Sequence, residues 1–337
     1  MKGLPQNEED DDDDARDDCE PLVDLTQALT LHSKRTERLR RRQQKNQKNK
    51  GSQPQWAMRG FLDLPYELMF SIITILRPRD VFALRRVCKP LRSFILGDED
   101  RIAASIVSLR YSILAKCIRR PVLLEDVDPA AHPALLNPLR TEIQTIRKKP
   151  YQHVQSPDMS LTCTCLTCLL RWNSLCLVLD FAHWQDHLDK YEPLPPIPRG
   201  TNPPWNLELL ARNADIVIQA VKSPLWHARI LEAHLDATTR AIRRHRRNKG
   251  NRRHRFHLSE ADERAGTDLF LEGEGPPTYD FPFHRDNYYM LEAYLPNRSW
   301  IKDQKQWVYL PADQHDKDVG MAIRWEAWRR SRQLVKF

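Results

Sequence analysis

Four cysteines in the middle of the chain have the types and spacing that could bind a metal ion. Cys163, Cys165 and Cys168 form a Cys-x-Cys-x-x-Cys pattern, and Cys176 follows on the helix predicted after it. Thiolates are preferred ligands of zinc, which takes four ligands in a tetrahedron at structural sites. We interpret these cysteines as small buried apolar side chains at the start of a helix, and no cofactor is expected. A structural zinc site and a disulfide or redox pair are the alternatives.

The fourth ligand of such a site is not fixed by the spacing. Cys176 comes about two helical turns after Cys168, which makes it one candidate. His153 or His183 could supply a ligand from elsewhere in the chain. Catalysis by a cysteine is not expected, because the sequence pairs none of them with a base.

Two further groups of polar residues have spacings that invite a catalytic or metal-binding interpretation. Asp180, His183 and His187 fall on one face of a predicted helix. We interpret them as the polar edge of a buried helix. His315 and Asp316 are adjacent in sequence, and adjacent residues rarely face one another, so we expect a structural or surface role for both.

Sequence motifs of common enzymes are missing from the chain. It contains no Walker loop, no Gly-x-Gly-x-x-Gly, no Gly-x-Ser-x-Gly and no His-Glu-x-x-His. Only ten glycines occur in 337 residues, which argues against a fold that cradles phosphates. We therefore expect a protein that is not an enzyme.

The composition indicates an intracellular protein, in the nucleus, the cytoplasm or both. No stretch approaches the roughly 20 apolar residues of a membrane span. The N-terminus is acidic and lacks the apolar segment of a signal peptide. Seven unevenly spread cysteines, an odd number, suit a reducing compartment better than a disulfide framework.

Charge is segregated along the chain, whose formal net charge is +8. Residues 8–20 are almost wholly acidic, whereas residues 34–50 and 240–255 are basic. We interpret the first basic block as a solvated charge run, and a nuclear localisation signal is the alternative. Aromatic residues that would stack on bases do not interleave in it, so nucleic-acid binding is not the expected function. The candidate signal residues are Arg38, Arg40, Arg41 and Arg42.

Helical periodicity dominates the elements that would have to position these groups. Residues 165–188 are apolar almost all round, which is typical of a buried central helix. Amphipathic patterns follow at 206–221 and 225–242, and a terminal helix carries Trp325. The predicted fold is mainly α, with little or no strand.

An earlier stretch, residues 62–96, predicts three short helices. Pro65 suits a first helical turn, and Ile72 follows Leu68 at helical spacing. Asp80 is expected to cap the second helix. A unit of about forty residues is marginal alone and should bury part of its surface against a partner or a neighbouring domain. A longer helix predicted from Asp98 to Cys117 would brace it from one side.

This stretch resembles an F-box. The resemblance rests on Leu64-Pro65-x-Glu67-Leu68, the Ile72 and Leu76 row, Asp80-x-x-x-Leu84, and Val87-Cys88-Lys89 followed by Arg92. The family usually has Trp where this chain has Leu91, and often a basic residue at Pro90. The resemblance implies docking on the Skp adaptor of cullin-RING (SCF) ubiquitin ligases. The residues implied to form the adaptor interface are Leu64, Pro65, Leu68, Ile72, Val81, Leu84, Val87, Cys88 and Leu91.

The chain is thus predicted to have three parts: a disordered charged tail at 1–57, an F-box with a bracing helix at 58–118, and a helical domain at 119–337. The resemblance implies a substrate receptor that reaches cullin through the adaptor and recruits an unknown protein target with the third part. Much of the chain also resembles a group of filamentous-fungal F-box proteins of unassigned substrate. The alternative is a basic nuclear protein that binds nucleic acid or acidic partners through residues 34–50 and 240–255.

Overall fold

The computed structural model describes most of the chain after residue 60. Two compact units divide the chain, Met1–Arg59 and Gly60–Phe337. Nearly all the described residues belong to the second unit. They are residues 37–38, 41–42, 61–146, 153–198, 200–247, 258–272, 284–295, 298–303, 305–309 and 314–334.

Most of the predicted charged tail lies outside the described residues, including the acidic segment at 8–20. Among the four arginines of the candidate localisation signal, Arg38, Arg41 and Arg42 are helical and exposed. Arg40 lies outside the described residues. The localisation signal stays a prediction.

Three short helices follow, as the sequence predicts. They are α1 (Tyr66–Ile75), α2 (Pro78–Leu84) and α3 (Lys89–Gly97). Each has a proline at its start: Pro65 directly precedes α1, and the first turns of α2 and α3 contain one. Proline is tolerated there because the backbone N–H that it lacks would have no partner within the helix. The prediction that Asp80 caps α2 is wrong: Arg77 is the capping residue, and Asp80 lies inside the first turn.

The predicted bracing helix is present but ends early. Helix α4 (Glu99–Arg110) packs on α1, and a separate short helix, α5 (Leu114–Cys117), follows. The break is held by Asp268, whose carboxylate accepts the backbone N–H groups of Ile113 and Leu114 at 2.8 and 2.7 Å. These N–H groups are the open donors of a helix N-terminus, so a remote residue begins α5 where periodicity predicted a continuous helix.

Three long helices form the centre of the remaining fold. They are α8 (Leu166–Asp189), α9 (Pro204–Lys222) and α10 (Pro224–Arg247), and each packs on the other two. Helix α8 is the predicted central helix, with Trp172, Leu175 and Phe181 buried along it. Two short helices precede it, α6 (His132–Leu135) and α7 (Pro138–Ile146).

Smaller elements complete the described part of the chain. Helix α11 (Glu260–Ala265) begins with a capping box between Ser259 and Asp262. Strands β1 (Arg298–Ile301) and β2 (Gln306–Tyr309) pair antiparallel, with Arg298 opposite Tyr309. The last helix is α12 (His315–Leu334). The mainly α prediction is confirmed, with one two-stranded sheet among the described residues. Short 3-10 helices lie at Phe61–Asp63, Leu124–Asp126, Pro129–Ala131, Leu269–Glu272, Arg285–Tyr289 and Leu291–Ala293.

Helix α10 joins the first three helices to the rest of the fold. It packs on α8 and α9 and also on α2 and α4. The rings of Phe82 on α2 and Trp226 on α10 lie 4.7 Å apart between centroids. The backbone N–H of Arg79 donates to the carboxylate of Glu232 on α10 at 3.0 Å. The small bundle and the long helices therefore share one core. None of the described helices combines the length and the apolar character needed to cross a membrane.

Candidate functional sites

Helix α1 carries apolar side chains on two faces, and only one of them is buried. Ile73 is fully buried, whereas the adjacent Ile72 is 41% exposed. Leu68 and Ile75 are also exposed, and they lie with Ile72 at the i, i+4, i+7 spacing of one helix face. Contiguous exposed apolar side chains mark interaction surfaces. We call Leu68, Ile72 and Ile75 the α1 outer row.

The predicted interface residues divide by burial into accessible and inaccessible groups. Pro65, Leu68, Ile72 and Val87 are exposed, and Val87 is the most open at 70%. Half-buried positions are Leu64, Leu84 and Cys88.

Val81 and Leu91 are wrong as contact residues, because both lie inside the fold. Val81 is fully buried on α2, which packs on α10. Leu91 is buried with Ile95 one turn later on α3, in the same core as Ile102 of α4. They support the exposed surface from inside the fold.

Ile75 and the residues before α1 extend the exposed surface beyond the predicted set. Phe61 and Leu62, in the first 3-10 helix, are both exposed. Their signal in the sequence is an apolar pair that precedes Leu64-Pro65, with one residue, Asp63, between. Periodicity placed Ile75 on the row but could not tell that the row was open to solvent.

A groove lined by apolar and cationic side chains lies beside Val87, where α2 and α3 meet the start of α10. Phe82, Val87 and Trp226 contribute its apolar surface. Such a groove suits a protein segment that presents apolar and acidic side chains together. Its cations are Arg85, Arg86, Lys89, Arg92 and Arg229.

Three of the four predicted cysteine ligands come together with a histidine that was assigned no ligand role. Cys163, Cys165, Cys168 and His315 each offer one ligand atom, and these four atoms lie within 4.8 Å of one another. His315 Nδ1 is 3.3 Å from Sγ of Cys165 and 3.3 Å from Sγ of Cys168. We call these four residues the Cys/His cluster. His315 is the first residue of α12 and lies 147 residues after Cys168.

Local structure fixes the three thiols. Cys165 is the capping residue of α8, and its sulfur accepts the N–H of Cys168 at 3.4 Å. Cys163 is tied to the chain before it, because its N–H donates to the Val122 carbonyl at 2.9 Å. The Val122 N–H in turn donates to Cys168 Sγ at 3.4 Å. The cluster sits with Ala322 of α12 in a small apolar core separate from the main one.

The thiols perturb one another. Hydrogen bonding from the Cys165 thiol, and then from that of Cys168, holds the pKa of Cys163 well below its ordinary value. The same contacts raise the pKa of Cys168, with burial adding to the effect. The three sulfurs therefore share protons and do not ionise independently.

Cys176 is wrong as the fourth ligand. It is buried on α8 outside the Cys/His cluster, and burial raises the pKa of its thiol. The alternative ligands His153 and His183 are also outside the cluster. The His153 ring packs against Tyr288, and His183 Nδ1 lies 3.3 Å from the Arg212 guanidinium. The cysteines of the described part of the chain are all free thiols.

Asp180 belongs to a buried ion pair. Its two carboxylate oxygens accept hydrogen bonds from Nε and Nη2 of Arg285, both at 2.9 Å. The Tyr288 hydroxyl donates to the same carboxylate at 2.7 Å. The interpretation of this helix face as structural fits these contacts, although Asp180 is fully buried and not at an edge.

Arginines of the second basic block are used inside the fold. Arg240 binds the carboxylate of Asp189 at 2.7 Å, and Arg244 reaches the same carboxylate at 2.6 Å. Arg243 pairs with Glu263. These contacts reduce the positive charge available to an external partner. Residues 248–257 of the block lie outside the described residues.

Comparison with known proteins identifies one domain. The family model of the F-box domain matches residues 61–103, which span α1 to α3 and the first turns of α4. No curated protein matches the chain, and no solved structure does. The predicted relation to filamentous-fungal proteins stays a prediction.

Proposed function

We propose that this chain is the substrate-receptor subunit of an SCF-type cullin-RING ubiquitin ligase, because its residues 61–103 match the F-box domain. Its F-box would dock on the Skp adaptor, and the residues from 119 onward would recruit a protein target. F-box domains support binding to this adaptor, and through it to cullin, and F-box proteins are typically adaptors and not enzymes. The observation that carries the proposal is the α1 outer row, which stays exposed although the domain has a filled interior.

The adaptor step would use the α1 outer row together with Val87. Burying these side chains against a partner removes apolar surface from water, which is the main favourable contribution to protein association. The cationic side chains of the neighbouring groove would favour a partner that presents acidic side chains. Both features lie within or next to residues 61–103.

The target step would use α12. This helix buries Asp318, Ala322 and Glu326 at successive turns, so that Met321 and Trp328 point outward. The Arg332 guanidinium lies 4.4 Å from the centre of the Trp328 ring. Exposed arginines flank the outward face at Arg324, Arg330 and Arg332. An aromatic face with a cationic border favours a target segment that is both apolar and acidic.

Ubiquitin transfer would then follow from proximity. A receptor that holds a target near a charged conjugating enzyme raises the effective concentration of the target's lysines without contributing a catalytic group. The contacts between elements support this role: the F-box shares a core with the long helices, and α12 packs on α8, so both surfaces belong to one packed unit.

Two matched variants test the adaptor step. Leu68→Glu and Met321→Glu replace side chains of nearly equal exposure, 49% and 51%, on two different helices. In gel filtration of the full chain with purified Skp adaptor, the wild type and Met321→Glu should form a complex, and Leu68→Glu should not. A complex retained by Leu68→Glu would refute the proposed adaptor surface.

The same pair tests the target step. A true target should accumulate in cells that lack this chain. It should also bind the Leu68→Glu protein, which cannot bring it to the ligase because it does not bind the adaptor. It should bind Met321→Glu poorly. Some proteins will accumulate in cells that lack this chain and also bind the Leu68→Glu protein. If these proteins bind Met321→Glu as tightly as they bind the wild type, α12 is not the recruiting surface.

A further inference from the structure

We propose that Cys163, Cys165, Cys168 and His315 bind one zinc ion, and that the ion fastens α12 to the start of α8. The four ligand atoms come from two parts of the chain, the turn that begins α8 and the first residue of α12. This proposal is independent of adaptor binding.

The spacing of the ligand atoms fits a tetrahedral zinc site. Zinc lies about 2.3 Å from sulfur and about 2.0–2.1 Å from imidazole nitrogen. With tetrahedral angles, these bond lengths place sulfur and nitrogen about 3.6 Å apart and two sulfurs about 3.8 Å apart. His315 Nδ1 lies 3.3 Å from two of the sulfurs, and no pair among the four atoms exceeds 4.8 Å. To hold an ion, the two measured sulfur–nitrogen distances would lengthen by about 0.3 Å, and no pair would have to close by more than about 1 Å.

The surroundings are built to hold thiolates. Each sulfur accepts one backbone N–H: Cys163 from residue 165, Cys165 from residue 168, and Cys168 from Val122, all at 3.4 Å. Such donors stabilise negative charge on metal-bound sulfur. Three thiolates and Zn²⁺ carry a net charge of −1. The guanidinium of Arg140 supplies the compensating charge, because it donates to the side chain and carbonyl of Thr164, which lies between the first two cysteines.

Histidine at the fourth position completes a Cys₃His donor set, which is one of the usual sets of structural zinc sites and disfavours Mg²⁺, Ca²⁺ and Mn²⁺. All four ligands are protein side chains, as at closed structural sites. The thiols are buried and His315 is half-buried, so the site excludes bulk water without being sealed from metal exchange.

The ion would supplement direct contacts that hold α12. One turn after His315, the Asp318 carboxylate accepts hydrogen bonds from the N–H and hydroxyl of Thr167. Two turns further on, Glu326 accepts one from Asn137 at 2.7 Å. These contacts align α12 with the cysteine turn. A metal bond at its first residue would then close a loop of about 150 residues, which restricts the unfolded chain as a covalent cross-link does.

The first experiment measures metal in the full chain purified without chelator. Plasma mass spectrometry should find close to one zinc per chain. Substitution with Co²⁺ should give the visible absorption bands of tetrahedral thiolate coordination. Cys165→Ser and His315→Ala should each weaken binding by more than about 100-fold, because loss of an outer-shell partner alone typically costs 10- to 100-fold.

Cys176→Ala is the matched control, since it removes a buried thiol from α8 outside the cluster. It should keep one zinc per chain. Zinc lost equally in Cys176→Ala and Cys165→Ser would overturn the ligand assignment.

The second experiment tests what the ion does, using the wild-type chain so that no variant has to fold. Hydrogen exchange of the α12 amides should rise when a chelator removes the metal, and added zinc should restore protection. Skp adaptor binding should not change in either state. A chain that purifies without zinc, takes up none, and shows no change in α12 exchange would refute the proposal. A disulfide between cluster cysteines in the freshly purified protein would also refute it.

Discussion

Replacing Leu68 and Ile72 together with alanine is expected to weaken binding to the Skp adaptor by about 10- to 100-fold. Full burial of a large aliphatic side chain contributes about 1.5–3 kcal/mol. Leu68 is 49% and Ile72 41% exposed, so an adaptor that covers both side chains gains close to one full burial, about 1.4–2.7 kcal/mol. Each 1.4 kcal/mol changes a dissociation constant about tenfold.

Ile73 provides the control, because it neighbours Ile72 on the same helix and is fully buried. Ile73→Ala should lower the free energy of unfolding by about 2–5 kcal/mol, since it removes buried methyl groups and leaves a cavity. The Leu68→Ala/Ile72→Ala protein should stay within about 1 kcal/mol of wild type, as is usual for exposed substitutions. Substitutions on the exposed face of α1 should therefore change adaptor binding, and substitutions on its buried face should change the free energy of unfolding.

Isothermal titration calorimetry of the full chain with purified adaptor measures the first effect, and urea unfolding followed by circular dichroism measures the second. A folded double variant that binds the adaptor within twofold of wild type would contradict the assignment of the α1 outer row. Equal loss of stability in Ile73→Ala and the double variant would contradict the assigned burial of the two faces.

Three further perturbations test the packing of the long helices. Asp180→Ala should cost about 3–5 kcal/mol in urea unfolding, because it leaves the Arg285 guanidinium buried without its carboxylate. Asp268→Ala should cost about 1–3 kcal/mol, since it removes the acceptor of two backbone N–H groups that begin α5. Burial lowers the pKa of His227 and His234 from 6.5 to about 4. The neutral imidazoles therefore add stability that is fully present above pH 6.5 and is lost as the pH falls from 6.5 to about 4, by up to roughly 3 kcal/mol for each histidine. His234→Gln should reduce the slope of unfolding free energy against pH over this range.

Helix positions followed from the sequence because apolar spacing and proline placement are local properties. Periodicity assigned α1, α8, α9 and α10 nearly to their observed ends. The same periodicity could not decide which apolar side chains of α1, α2 and α3 are covered by other elements. Val81 and Leu91 were wrong as contact residues for this reason. Val81 lies on α2, which α10 covers from more than a hundred residues later, and Leu91 faces the core that α3 and α4 share.

The Cys/His cluster shows the same limit: local spacing predicts neighbours along the chain but not contacts with distant residues. Cys-x-Cys-x-x-Cys spacing predicted the three cysteines that meet, since one turn and a helix start bring them together. Cys176 was wrong because helical geometry carries it along α8, away from the turn. His315 could not be found from spacing, because it reaches the cluster only through the docking of α12. The early end of α4, held by Asp268, is a further effect of a residue distant in sequence.

Helix α10 explains why the docking and recruiting surfaces would act as one body. It packs on α2 and α4 and also on α8 and α9, and α8 in turn packs on α12. Rotating the F-box away from the long helices would separate Phe82 from Trp226 and leave the buried Glu232 carboxylate without the Arg79 N–H. Exposing that apolar contact and breaking that hydrogen bond both cost free energy. In the proposed function, a receptor built in this way would present its target at a fixed distance from the adaptor. Ubiquitin would then be transferred to lysines on one side of the target. A flexible linker would bring other lysines within reach of the conjugating enzyme, and a rigid receptor would not.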